Sequence, residues 1–380
     1  MVALLLAMTL AVQDSGAFVV RLGVDTLSLE QYRRTATQLR GEYVIRLPRS
    51  VHRIYTADLR PDGSIRKFEL ITHNIDSEPG PRETKTAIDF TGDSAIVTSP
   101  RGDSTVSAKV AVPKGTFPFQ FYVIGLMEQM ARYARGTGKD SVRFSALPST
   151  NGPSGGYIKR RGGTGSDTLV FMFDQGPFAG VGPFTFTFDR QGHITWLTGK
   201  GSTVQIDVQR VPSVPIAQAT QRFANRPLGL LSPRDTARTT LAGADLWVDY
   251  GRPMKRGRVI FGDVVPWNTV WRTGANAATQ FNTPVDLVIG GANVPAGKYT
   301  LWTLPSPTGW KLIINKQTGQ WGTEYHQEQD LARVDARVET LAAPVEQLFI
   351  GFEPSPANAP STTLTILWDK TKVSVPVAKK

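Results

Sequence analysis

Arginine, asparagine and aromatic residues recur together in the C-terminal half of the chain, and their chemistry suits recognition. Tyr250-Gly251-Arg252-Pro253 and Trp271-Arg272-Thr273-Gly274-Ala275-Asn276 each set an arginine beside an aromatic ring and a glycine, and Trp321-Gly322, Tyr325, Asp330 and Arg333 repeat the combination. A guanidinium is a planar fork for carboxylate or phosphate, an aromatic face stacks on apolar ring surfaces, and glycine lets backbone N–H groups approach closely. The pattern suits a clamp on a small polar or anionic ligand, a glycan or a metabolite. Arg272 would take the charge, Asn276 would orient it, and Tyr250 and Trp321 would form apolar walls. The same residues have a structural use: Arg272 or Arg333 would pair with Asp330 and close the fold, because a buried arginine needs a partner.

A second constellation is acid–base. His326, Glu328 and Asp330 would project from one face if residues 324–330 were extended, which gives an envelope hydrolase using His326 and Asp330 as one alternative function, a purely structural interaction module being the other. The plainer reading of this segment is a polar loop. The remaining histidines, His52, His73 and His193, are scattered, with no pair at ligand spacing in the sequence. Gly152-Pro153-Ser154-Gly155-Gly156 spells the serine-hydrolase elbow, but it is read as a loop without the strand and helix that the motif requires. No phosphate loop, dinucleotide fingerprint or metalloprotease helix motif occurs, so the reading calls for no cofactor, no metal and no catalytic residue.

Composition narrows the classes further. The chain has 380 residues, no cysteine and a net charge of +11 from 43 basic and 32 acidic residues. Without cysteine there are no disulfides, thiolate metal sites or thiol nucleophiles. The basic excess is diffuse rather than clustered, which argues against a nucleic-acid surface. The run Val2 to Val12 is apolar, long enough for a signal-peptide core and too short to span a bilayer, so residues 1–17 are expected to be an export signal, with cleavage after Ala11 or Ala17 and a periplasmic or cell-surface destination. No transmembrane segment is expected.

The elements that must position these residues are mostly strands. Alternation such as Tyr43, Ile45, Leu47 between turn signals such as Pro61-Asp62-Gly63 predicts an all-β protein: a curved, half-barrel-like antiparallel sheet over residues 18–211, a Pro-rich linker over 212–235, and an antiparallel β-sandwich over 236–377. One helix interrupts the first domain. Phe119, Val123, Leu126, Met127, Met130 and Tyr133 recur at helical spacing over 117–134, with Glu128, Arg132 and Arg135 on the opposite side, predicting a helix that plugs the sheet. The first domain is loosely similar in shape to periplasmic lipoprotein-carrier half-barrels, an analogy that would make lipid a partner.

The residues of the second half also carry a family resemblance. Tyr250-Gly251-Arg252-Pro253, Ile260-Phe261-Gly262, Trp271 to Asn276, Val294-Pro295-Ala296-Gly297, Ile314-Asn315 and Trp321-Gly322 resemble the bacterial domain of unknown function family 2911 over residues 236–377. Members are typically exported, and no activity is implied. Many members carry an acidic residue where this chain has Ala277, so a binding or structural role fits this copy better than carboxylate-dependent catalysis.

Overall fold

The computed structural model describes residues 14–77, 81–102, 104–148, 152–162, 168–200, 204–356 and 358–380. The chain divides into two compact units between Gly229 and Leu230. The expected export signal lies outside the described residues up to position 13. Residues 14–17 belong to the strand Asp14–Leu22, four residues earlier than the first domain was expected to begin.

Fifteen strands among the described residues of the first unit form one sheet. Eight of them, from Asp14–Leu22 to Ser104–Ala111, pair in chain order as an antiparallel meander. A second arm begins at Asp207–Val211, which pairs with Asp14–Leu22, and runs back through the hairpins to Ser141–Leu147. Period-two patterning produces these strands: in Phe184–Phe188 the phenylalanines are buried and the threonines between them half-buried. Together with Phe119, Phe144, Phe171 and Phe173, Phe184 and Phe186 build an aromatic core with ring centroids 4.6–6.1 Å apart.

The helix, α1, spans Ile124–Gly136 rather than 117–134. Phe117–Pro118 is instead a short strand parallel to Ala146–Leu147, since Pro118 lacks the N–H that a helix interior needs. Phe119 is buried as expected, but among the aromatic rings of the sheet. Both arms of the sheet reach α1: Arg34 donates to Gln129 from one side, and Ile194 N donates to Glu128 from the other. The polar side of the helix is therefore packed too, and Glu128 is only 1% exposed.

A second helix, α2, spans Ile216–Phe223 on the opposite face of the same sheet. Val214, Ile216, Ala219 and Phe223 pack on Ala17, Leu29 and Val44. The stretch read as a Pro-rich connector with a short helical segment over 216–224 is thus a packed part of the first unit as far as α2, while Arg234–Leu241 is already the first strand of the second unit.

The second unit is a single nine-stranded sheet among the described residues, ordered so that the 23-residue strand Asp330–Phe352 pairs with Gly309–Asn315 from Asp330 to Ala336 and with Ser361–Lys379 from Arg337 to Phe352. Register breaks between Thr340 and Phe349 bend it, which folds the sheet over. Leu246, Val248 and Tyr250 from the first strands then share one core with Leu348, Ile350, Leu364 and Trp368 from the last. The sandwich is a folded sheet, not two separate ones. Among the described residues no helix is long and apolar enough to cross a membrane.

Candidate functional site

In the second unit, the run Trp271 to Asn276 lies beside the strand Gly297–Ser306, fixed by reciprocal backbone bonds between Trp271 and Thr303 (2.8 and 2.9 Å). Trp271 turns into the core and stacks on Trp368 at 5.8 Å. Arg272 lies instead against Gly322, where a Cβ would collide with both the Arg272 side chain and the Asn276 carbonyl oxygen. A backbone bond from Gly322 N to Asn276 O (3.0 Å) and a bridge between Ala277 and Trp321 bring Arg272, Asn276 and Trp321 together. Asn276 adopts a left-handed conformation (φ 62°) and is exposed, as is Trp321.

The electrostatics of Arg272 set it apart. Its Nε is sealed from solvent and has no hydrogen-bond partner, and its guanidinium makes no ion pair with any described residue. Burial alone draws its pKa down to about 10. Gln320, next to Trp321, has a buried Oε1 that also lacks a partner, although its Nε2 donates to Thr300 (3.2 Å). Gln320 carries no sequence signal beyond its adjacency to Trp321-Gly322, because a glutamine is read as a surface residue by default.

Tyr325, Asp330 and Arg333 form a separate, closed cluster. Arg333 Nε and the Tyr325 hydroxyl each donate to Asp330 at 2.7 Å, Arg333 also donates to the Tyr325 oxygen (2.7 Å), and Asn315 Nδ2 donates to Asp330 at 2.9 Å. Burial, with the Asp330 charge beside it, pushes the Tyr325 hydroxyl up to about 12. Of the two arginines considered for bridging, Arg333 bridges and Arg272 does not.

The remaining candidates are elsewhere. Tyr250 is 1% exposed in the sandwich core and walls nothing. Arg252 pairs with Asp235 (2.8 Å) and donates to Leu348 O (3.2 Å). The segment 324–330 is not extended: Gln327–Gln329 form a 3-10 turn, so His326, Glu328 and Asp330 do not line one strand face. His326 bonds the exposed Glu328 (3.0 Å), while Asp330 is occupied by three other donors, so the two are not assembled as an acid–base pair. Ser154 begins a strand instead of lying in a loop, and its buried hydroxyl accepts from Phe178 N (3.1 Å). No helix follows it, which leaves the elbow reading without support.

Gly322→Ala tests the convergence directly. A methyl group there meets a backbone carbonyl that cannot swing away, so a loss of about 1–3 kcal/mol in the second unit is expected from overpacking. Chemical denaturation measures it; an unchanged midpoint would show that Arg272 and Asn276 do not crowd this glycine.

Among solved structures, the chain is similar to a beta-barrel-like protein of domain of unknown function DUF1849 from Brucella abortus, with 9% identity over 52% of this chain and 94% of that one and a TM-score of 0.34. It is also similar to a DUF1089 family protein from Pseudomonas aeruginosa, with 13% identity over 46% of this chain and 90% of that one and a TM-score of 0.32. No curated protein matches the chain. In the C-terminal unit, which holds the arginine run packed on the Trp321-Gly322 bend, residues 232–377 match the family model described as protein of unknown function DUF2911.

Proposed function

We propose that this is an exported, non-catalytic binding protein whose C-terminal unit receives a small anionic or polar ligand at Arg272, with Asn276 and Trp321 at its edge. The observation that carries the reading is the missing counter-charge. Arg272 is half-buried, its Nε is sealed without a partner and no carboxylate among the described residues pairs with it, so a ligand carboxylate or phosphate would supply the bidentate partner that these residues do not. Ala277 agrees with this: a neutral residue stands beside the site and leaves the charge of Arg272 unmatched.

The test separates binding from structural bridging by sign. Arg272→Met keeps the packing and removes the uncompensated charge, so the ligand-free unit is expected to gain about 1–3 kcal/mol. The parent, in contrast, is stabilised by its ligand by about 2.7 kcal/mol at a hundred times Kd, and the variant loses that response. Thermal unfolding against a panel of sugar acids, sugar phosphates and dicarboxylates reads both effects. A destabilised Arg272→Met, with no ligand shift in the parent, would make Arg272 a packing residue.

Export makes its own prediction. Asp14 pairs with Arg132 (2.6 Å) and His193 (2.9 Å), and cleavage after Ala17 would remove it. N-terminal sequencing of the mature protein is expected to find a start at or before Asp14, consistent with cleavage after Ala11. A start at Phe18 would refute this assignment.

A further inference from the structure

The face of the first sheet that carries α2 also carries an unneutralised pair of arginines. Strand register sets Ser15, Arg33, Arg40 and Thr56 in one row across four strands, with Arg33 directly opposite Arg40. The next row, Val211, Ala17, Gln31, Glu42 and Ile54, lies two residues further along the same face. Like charges directly opposite each other repel, and each of these arginines is exposed, with no ion pair or hydrogen bond to any described residue. The carboxylates nearest in register are already engaged. Glu42 accepts from Gln31 (2.6 Å) and pairs with His52 (3.2 Å), and Asp58 pairs with Arg66 (2.7 Å).

Beside the pair is a depression of about 700 Å³. Ala17, Ile54, Val211 and Pro212 contribute apolar surface to it, Ser15 and Ser213 contribute hydroxyls, and Glu42, whose carboxylate is held by Gln31 and His52, lines it as well. Two guanidinium forks favour one anion over another. A carboxylate offers one bidentate edge and a single negative charge, whereas the phosphoryl group of a monoester presents three terminal oxygens and up to two negative charges, which suits two forks at once. The depression is far larger than a phosphate, and its apolar residues call for a carried group.

We propose that Arg33 and Arg40 clamp the phosphate of a partly apolar phosphate ester on this face of the first unit. Bound phosphate turns a repulsive cross-strand pair into two charge-assisted ones, while the apolar part of the ester covers Ala17, Ile54 and Pro212. This site is independent of Arg272, which lies in the other unit.

The experiment uses the full chain with two probes, hexyl phosphate in solution and phosphatidylcholine vesicles containing phosphatidic acid, so that a free ester and a lipid headgroup are distinguished. Calorimetry and vesicle sedimentation are run on the parent, on Arg33→Gln/Arg40→Gln, and on Arg21→Gln as an equal loss of charge from a neighbouring strand. The parent is expected to bind at least one probe, and the double variant to bind it about tenfold more weakly or worse. Arg21→Gln should bind as the parent does. Binding of hexyl phosphate assigns a soluble ester and binding of vesicles alone assigns a headgroup; either supports the site when the double variant loses it. Three results overturn it: neither probe binds, the double variant binds as well as the parent, or Arg21→Gln is weakened equally. Since the double variant relieves a repulsion, its unfolding midpoint should be no lower than the parent's, which separates lost binding from lost fold.

Discussion

Glu128→Ala is expected to lower the stability of the first unit by about 3–5 kcal/mol, the cost of leaving buried charge without its partner. Glu128 lies on α1 at 1% exposure and is the centre of a network. The Tyr32 hydroxyl and Arg132 (3.1 Å) donate to one of its oxygens, and Arg210 (2.9 Å) and the backbone N–H of Ile194 (2.7 Å) donate to the other. Removing the carboxylate strips Arg210 of its ion pair and Tyr32 of its acceptor, and leaves Arg132 with Asp14 alone. Because these partners come from both arms of the sheet, the loss should act on the whole unit. Urea unfolding followed by far-UV circular dichroism measures it. A double replacement, Glu128→Leu with Arg210→Met, is expected to recover much of the loss, since an apolar pair of similar volume replaces a buried ion pair at little cost. A Glu128→Ala midpoint within about 0.5 kcal/mol of the parent would show that the network contributes little.

The second large effect is pH dependence through Glu30. This residue is fully buried on the strand Asp25–Arg34 and accepts from the N-terminal N–H groups of α1, Ile124 (2.5 Å) and Gly125 (3.0 Å), and from the Tyr55 hydroxyl (2.7 Å). Burial outweighs those donors and, with Glu128 nearby, raises its pKa from 4.5 to about 7. The folded state therefore holds this proton more tightly than the unfolded chain. The favourable contribution is complete below about pH 4.5 and is lost as pH rises through about 7, an amount of about 3 kcal/mol for a shift of this size. Between those values the contribution of Glu30 to stability falls with rising pH. Glu30→Gln does not titrate, so its stability profile should lack that slope. Unfolding free energies at pH 5, 6, 7 and 8 decide the matter: parent and variant profiles that remain parallel would remove Glu30 as the source.

Much of the architecture was legible in the residues themselves. Alternation over short segments predicts strands because successive side chains in a strand must face opposite sides, so a half-buried sheet writes its pattern directly into the chain. The run Trp271 to Asn276, with Trp321-Gly322, likewise carried both the family resemblance and the members of the candidate site, whereas the same residue types at Tyr250 to Arg252 and at Tyr325 to Arg333 serve packing and a closed ion pair. The limits of α1 were less legible. The apolar spacing that begins at Phe119 continues into the helix, but Phe117–Pro118 is a strand and a turn at Phe121 and Tyr122, with Tyr122 left-handed (φ 70°), delays the helix until Ile124.

What only the tertiary structure decided is which polar groups meet. Glu128 and Arg132 read only as the polar side of a plugging helix, and they are packed because the second arm of the sheet covers that side too. His52 and His73 are 21 positions apart and look unrelated, but strand register stacks their rings at 5.7 Å. Arg272 and Arg333 were interchangeable as partners for Asp330, and only the fold gave the carboxylate to Arg333 and left Arg272 without one. The physical reason is common to all three. Periodicity records how each segment divides its own faces, whereas the pairing of charges depends on which distant segment closes over that face, and local spacing does not encode that choice.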